Sequence, residues 1–161
     1  MNKAETLAAL AAHGISFEIR EHPAIFTMEQ MRELHLPHEE SIARNLFLRD
    51  DKKRAYYLLA VHEEHHADLH RLRELLGSRP LSFASEQDLQ RILGLQKGSV
   101  TPLGALNDQG HRVRVCLDEE FRGSLIGVHP NENTATIYLQ ADDLLKMMRD
   151  FGESADYAEL I

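Results

Sequence analysis

The sequence is poor in cysteine and in aromatic residues: it contains one cysteine, no tryptophan and 6% Phe, Tyr and Trp together. One thiol cannot form a disulfide within the chain, so a disulfide-stabilised fold is excluded. The cysteine, Cys116, lies between Val115 and Leu117 in an alternating apolar segment, with no base beside it. We therefore expect Cys116 to be a small core residue and not a nucleophile.

Long apolar runs are missing as well. No stretch approaches the about 18 apolar residues that a membrane-spanning helix needs, and the first ten residues lack the apolar centre of a signal peptide. We expect a cytoplasmic protein with no membrane partner. The 161 residues, 43% hydrophobic and 27% charged, are enough to build one core, so we expect a single domain over residues 1–161.

Basic residues are outnumbered: 18 Lys and Arg stand against 26 Asp and Glu, which gives a net charge of -8 at pH 7. Non-specific nucleic-acid binding depends on neutralising phosphates, so no DNA partner is expected and an RNA partner must be met by a local patch. The sequence also lacks a Walker loop and a dinucleotide-binding fingerprint. We therefore expect no organic cofactor.

Helix and strand patterns are mixed along the chain. Strong helix formers predict a helix over residues 3–12 with Gly14 as its stop, and the alternation that follows predicts a strand over 15–21. The other predicted elements are helices that begin after Thr27, Asp68 and Ser85 and one over 142–151, and strands over 42–48, 55–61, 103–106, 111–117, 124–128 and 134–139.

Several of these strands follow one another directly, and 42–48 and 55–61 are joined by a charged turn that is typical of a hairpin. This order favours an α+β fold over a doubly wound parallel sheet. We expect a curved, mixed β-sheet flanked by short α-helices.

The stretch Gly98-Ser99-Val100-Thr101-Pro102 has the composition of a ligand-binding loop. Its glycine accepts a positive φ, its proline has a fixed φ, and the side chains between them are small or carry a hydroxyl, so backbone amides could approach a ligand closely. The alternative is a tight connection from a helix to a buried strand over 103–106. Spacing alone leaves both interpretations open.

A histidine-rich segment, His62-Glu63-Glu64-His65-His66, matches the H-E-x-x-H zinc signature. That signature requires a helix, whereas the preceding residues are typical of a strand, so a solvated turn is the favoured interpretation. A metal site remains open as an alternative, because His66 and His70 could still meet at i, i+4.

Covalent catalysis is a further alternative. Ser99 or Thr101 could supply a hydroxyl nucleophile and His22 or His129 a base, but the G-x-S-x-G nucleophile elbow is absent.

Five ordered blocks carry a resemblance to a known family. They are residues 21–27 (EHPAIFT), 43–48 (ARNLFL), 81–84 (LSFA), 98–102 (GSVTP) with Asn107-Asp108, and 129–134 (HPNENT). In order and spacing they resemble the bacterial prolyl-tRNA editing proteins, free-standing relatives of the editing insertion domain of prolyl-tRNA synthetase. The resemblance extends from about residue 4 to about residue 151. It departs at Arg44, where the family usually carries lysine.

The resemblance implies the fold of an editing domain and the activity of an aminoacyl-tRNA deacylase without a metal or organic cofactor. The implied substrate is a mischarged tRNA, first of all Ala-tRNA(Pro), bound by the acceptor end, and prolyl-tRNA synthetase is the protein partner it suggests. Catalysis in the family depends on backbone groups of the loop and on the ribose hydroxyl of the tRNA end.

The resemblance also implies a set of site residues. Gly98, Ser99 and Val100 would present amides to the ester carbonyl, while Arg44 would hold the terminal nucleotide; these four are the expected catalytic set. The expected substrate-binding residues, which support the loop or shape the amino-acid pocket, are Ile25, Asn45, Phe47, Thr101, Pro102 and His129.

Two functional alternatives stay open. The chain could be a non-catalytic member of the same fold that binds tRNA or a free amino acid, and Arg44 in place of lysine is the sequence feature that favours this. It could also be a metal-binding protein that uses histidines between residues 62 and 70.

Overall fold

The computed structural model describes residues 1–62 and 65–161. No helix in these two ranges is long and apolar enough to cross a membrane. The α-helices are Lys3–Ala12 (α1), Met28–Glu33 (α2), Leu69–Leu76 (α3), Glu86–Asp88 (α4) and Ala141–Asp150 (α5), and the strands are Glu18–Glu21 (β1), Ala43–Asp50 (β2), Tyr56–His62 (β3), Leu81–Phe83 (β4), Val113–Asp118 (β5), Leu125–Val128 (β6), Ala135–Gln140 (β7) and Ser154–Ala158 (β8).

The larger sheet has five strands in the order β4-β2-β3-β5-β8. β2 and β3 form the predicted antiparallel hairpin, and β4 pairs antiparallel with the other edge of β2. β5 runs parallel to β3, and β8 runs parallel to β5. The sheet is therefore mixed, as predicted.

The smaller sheet is antiparallel, with the order β1-β7-β6. A β-bridge between Ile42, just before β2, and Gly127 in β6 joins it to the larger one. The α+β class is confirmed, and the strands are divided between two bridged sheets.

Capping residues start the helices where the sequence predicts. The Thr27 side chain accepts a hydrogen bond from the Gln30 amide, and Asp68 caps α3 in the same way. Ser85 and Asp88 form a reciprocal capping box, after which α4 widens into a π-helical turn over Leu89–Leu93. Local side-chain bonding thus fixes three helix starts.

Three predictions of secondary structure need correction. The strand over 103–106 is wrong: Pro102–Asn107 is a 3₁₀-helix, because Pro102 presets φ at its first position and the Thr101 hydroxyl accepts from the Leu103 amide. Of the predicted strand 15–21, only Glu18–Glu21 pairs with a neighbour. The sequence pattern also missed β4 and β8, the short strands at the two edges of the larger sheet.

The main core lies between the larger sheet, the smaller sheet and α5. A second cluster covers the opposite face of the larger sheet and contains Cys116, Leu46 and Leu72. Cys116 is fully buried, and burial raises the pKa of its thiol. Its predicted role as a core residue is confirmed.

Candidate active site

The loop between the π-helical turn and the 3₁₀-helix has the backbone geometry that its composition predicts. Gly98 has φ +88°, in the region that favours glycine. A Cβ placed there would lie 3.0 Å from Cδ1 of Phe26 and 3.4 Å from Nδ2 of Asn133. Only glycine fits this position without displacing a neighbour.

Two side-chain hydrogen bonds hold the loop between the sheets. Nδ2 of Asn45, on β2 of the larger sheet, donates to the carbonyl oxygen of Val100 at 3.3 Å. The hydroxyl of Thr101 donates to the main-chain carbonyl of His129 at 2.6 Å, directly after β6 of the smaller sheet. The loop is therefore positioned by both halves of the molecule.

The amides of the loop are not equivalent. The Ser99 amide donates to the Gln96 carbonyl at 3.0 Å, so it is already used. Within the described part of the chain, the amides of Gly98 and Val100 make no hydrogen bond. An unpaired backbone amide is a donor ready for a ligand. The structure thus leaves two of the three predicted amides available.

His129 is held as a neutral ring. Its Nδ1 lies 2.8 Å from the carbonyl oxygen of Ala135, which can only accept, so Nδ1 carries the proton and Nε2 carries the lone pair. Burial lowers the His129 pKa and His22 lowers it further, against the hydrogen bond to Ala135, which raises it. The two histidine rings meet edge to face at 6.1 Å.

Arg44 and Asn45 point to opposite faces of β2, because side chains alternate along a strand. Asn45 shares the face of Phe47 and reaches the loop, whereas Arg44 shares the face of Leu46. Nη1 of Arg44 donates to the carbonyl of His65 at 3.3 Å. The structure therefore brings Asn45, and not the Arg44 guanidinium, to the loop.

Four other predicted substrate contacts are buried. Phe47 stacks on Tyr56 in the main core at 5.7 Å, and Ile25 lies in a separate apolar cluster. Thr101 and Pro102, the last two residues of the loop, are buried as well. Burial suits these four side chains to support the walls of the site.

A cavity of about 520 Å³ adjoins the loop, and sequence reasoning missed it. Asn131 and Asn133, two asparagines that the sequence places between two strands, are buried. Asn133 Nδ2 donates to the Ile25 carbonyl at 2.7 Å. The sequence feature that could have indicated this cavity is the pair of asparagine side chains shortly after His129. The lining is mostly polar: Met1, Asn2, Gly94, Gln96, Ser99, Asn107, Asn131, Glu132, Asn133 and Thr134.

The alternative chemistries gain little support. The glutamate of the zinc signature, Glu63, lies outside the described residues, and His66 precedes α3, so His66 and His70 are not an i, i+4 pair on one helix. In the described ranges, no three metal-binding side chains are grouped to hold an ion. The Thr101 hydroxyl bonds the main chain of His129 and not its ring.

Comparisons with known proteins place these features in context. The sequence profile of the aminoacyl-tRNA editing domain matches residues 22–147. The chain is 39% identical to the prolyl-tRNA editing protein ProX of Acetoanaerobium sticklandii over 159 residues, which cover 98% of this chain and 97% of that protein. It is 36% identical to prolyl-tRNA synthetase associated domain-containing protein 1 of Bos taurus, over 89% of this chain and 86% of that one.

Solved structures share the fold. A hypothetical protein superposes with a TM-score of 0.73 at 15% identity, covering 98% of this chain and 99% of its own. A candidate trans-editing enzyme for prolyl-tRNA synthetase superposes with a TM-score of 0.72 at 21% identity, covering 99% and 98%. At these identities the likeness establishes the fold alone.

Proposed function

Because the chain belongs to the aminoacyl-tRNA editing domain family, we propose that it removes a wrong amino acid, first of all alanine, from the tRNA for proline. An editing domain cleaves the ester between amino acid and tRNA, so the chain is an aminoacyl-tRNA deacylase. The similarity to ProX over nearly both full lengths supports proline tRNA as the substrate and residues 1–161 as one editing domain.

The reaction corrects errors that arise because a synthetase selects its amino acid with limited accuracy. A synthetase pocket shaped for proline cannot strongly exclude a smaller side chain, because each missing methylene changes binding by only about 1 to 3 kcal/mol. A second site that accepts the smaller product removes the error. We place this step in the cytoplasm, with prolyl-tRNA synthetase as the partner that releases the mischarged tRNA.

The observation that carries the mechanism is the loop with two unpaired amides, Gly98 and Val100, anchored by Asn45 and by the His129 carbonyl. Water adds to the ester carbonyl carbon, and the carbonyl oxygen takes the negative charge. The two amides would donate to that oxygen, where each donor can be worth about 10² to 10³ in rate. When the carbonyl reforms, the bond to the ribose oxygen breaks, and that oxygen takes the proton lost by the water. The products are the free amino acid and uncharged tRNA.

The side chains around the loop have supporting roles in this proposal. Asn45 fixes Val100 with its NH₂ group, and its Oδ1 is buried without a partner in the described part of the chain, so it can accept from the substrate's α-ammonium group. The neutral His129 offers a lone pair on Nε2 to the attacking water. Arg44 would neutralise a phosphate of the terminal nucleotide after releasing the His65 carbonyl.

The test is deacylation of Ala-, Cys-, Ser- and Pro-tRNA(Pro) side by side, with wild type and Gly98→Val. We expect rapid loss of alanine, little loss of proline, and collapse of turnover in Gly98→Val, since a β-branched residue blocks the positive φ and meets Phe26. Gly123→Val is the matched control, because Gly123 has φ +69° but open space around it. Equal activity of the two variants would reduce the loop to a connection, and no hydrolysis by wild type would favour the non-catalytic alternative.

A further inference from the structure

Phe26 is unusual among the large apolar side chains. It is 67% exposed, more than Phe83 at 53% or any other large hydrophobic residue that the structure describes. A single exposed apolar side chain is ordinary on a protein surface. What distinguishes Phe26 is its place, because it precedes α2 and lies against the glycine of the candidate active site.

The backbone on both sides of Phe26 is fixed. Its own amide donates to Oε1 of Gln30 at 2.8 Å, and the carbonyl of the preceding Ile25 accepts from Asn133 at 2.7 Å. Thr27, the next residue, caps α2. The exposed ring is therefore presented by a rigid segment, which lowers the entropy lost when a ligand covers it.

The ring and the reacting ester would be close neighbours. A Cβ on Gly98 would lie 3.0 Å from Cδ1 and 3.4 Å from Cε1 of Phe26, so the ring edge rests on the loop. In an aminoacyl-tRNA the ester is on the ribose of the terminal adenosine, so the adenine is one sugar away from the ester carbonyl. We propose that Phe26 is the platform on which the terminal adenine of the tRNA stacks, an inference that rests on the proposed deacylase function.

The chemistry of the surroundings fits a nucleobase. Stacking on an aromatic ring uses the π-face that every base has, and it is a standard way to hold an unpaired nucleotide. Asn133, which touches both Gly98 and the segment of Phe26, also lines the cavity of about 520 Å³ together with Gln96 and Ser99. These amide and hydroxyl groups can meet the edge of a base. An acidic protein gains little affinity from phosphates, so stacking would supply a large share of it.

The first test compares Phe26→Leu with Phe26→Trp on Ala-tRNA(Pro). Leucine keeps an apolar side chain but has no π-face, so we expect KM to rise about tenfold with kcat changed less, whereas tryptophan should keep KM within about twofold. Phe83→Leu, the same change at another exposed ring, should leave both constants unchanged. If KM rises equally in Phe26→Leu and Phe26→Trp, the proposal is overturned. A ring that only supports the local structure would be damaged by both substitutions.

The second test removes the base instead of the ring. On Ala-tRNA(Pro) that ends in an abasic ribose, wild type should lose about as much kcat/KM as Phe26→Leu loses on the normal substrate, and Phe26→Leu should lose little more. If Phe26→Leu on the abasic substrate shows the sum of the two separate losses, the ring and the base do not interact.

The third measurement is independent of hydrolysis. We expect uncharged tRNA with 2-aminopurine in place of the terminal adenine to lose fluorescence when wild type binds, and to keep it with Phe26→Leu. Quenching without any deacylation would support the platform while refuting the deacylase function. Deacylation without quenching would support the deacylase function and refute the platform.

Discussion

At the scale of single residues, Arg44 and Asn45 show how adjacent positions on one strand take different tasks. Asn45 faces the main core and holds the loop, while Arg44 faces the other side and holds the carbonyl of His65. The sequence places both in one motif, yet strand alternation separates them. In the proposed mechanism Arg44 has to release the His65 carbonyl before it can meet a phosphate, so it is the residue to vary.

We expect Arg44→Lys to retain or raise deacylation, because lysine keeps the charge on a slimmer stem, and Arg44→Ala to lose it. The measurement is kcat/KM on Ala-tRNA(Pro) for the three proteins, with melting temperatures to check the fold. If only Arg44→Lys is active, the natural protein is the non-catalytic member of the fold. If Arg44→Ala matches wild type, Arg44 only holds the segment of His65.

The burial of His129 predicts how the free energy of unfolding depends on pH. Burial lowers its pKa, so the folded protein disfavours the charged ring. Stability that depends on the neutral ring is present above the ordinary pKa of about 6.5 and is lost as the pH falls below it. His129→Asn, which can still donate to the Ala135 carbonyl, should remove this part of the acid sensitivity. The check is the free energy of unfolding in urea at pH 8, 6.5 and 5; identical pH profiles for the two proteins would contradict it.

At the scale of elements, the start of α4 is tied to β2 through Asp88. Its carboxylate accepts from Arg49 on β2 at 2.7 Å and from Arg91 at 2.8 Å, while it also closes the capping box with Ser85. Burial alone would raise the Asp88 pKa, but the hydrogen bonds outweigh it and lower the pKa to about 2. This network fixes the turn that leads into the Gly98 loop.

Asp88→Asn should therefore cost about 1 to 2 kcal/mol of unfolding free energy at pH 7. The folded pKa lies below the ordinary value of 3.8, so this stability is present above pH 4 and is lost as the pH falls toward 2. Denaturation of wild type and variant across pH 7 to 2 should converge at the acid end. Asp150→Asn, an exposed position, is the control. A constant difference down to pH 2 would show that charge is not the cause.

The elements also show what a sequence can predict. Thr27, Asp68 and Ser85 were predictable as helix starts, because a cap is a contact within four residues. The stretch 103–106 was not, because an apolar run fits a strand or a buried helix equally well. The positive φ of Gly98 was predictable, because glycine accepts it and the proline four residues later favours a loop. Its anchors, Asn45 and the carbonyl of His129, depend on tertiary packing that no local pattern contains.

At the scale of the whole molecule, charge limits how tRNA can be bound. The net charge is -8, and several cations are already engaged by carboxylates. These pairs are Arg49 with Asp88, Arg79 with Asp51, Arg122 with Glu119, and Arg149 with Asp156.

We therefore expect the affinity for tRNA to depend weakly on salt. With about two or three phosphate contacts, log K against log salt concentration should fall with a slope of about -2 to -3. Titrations of uncharged tRNA(Pro) between 50 and 200 mM KCl would measure it, with a basic tRNA-binding domain for comparison. A slope of about -6 or steeper would reveal a basic surface much larger than the loop region.

The parallel order β3-β5-β8 has a consequence for synthesis on the ribosome. The β2–β3 hairpin can form early. The parallel partner of β3 is β5, and the partner of β5 is β8 at residues 154–158, so these pairings can form only after the later strands have been synthesised. Until then β5 has no partner on its outer edge, which is a template for aggregation, and long-range parallel pairing is slow. A product truncated before β8 would therefore be a substrate for chaperones and proteases, so a stable fold requires translation through residue 158.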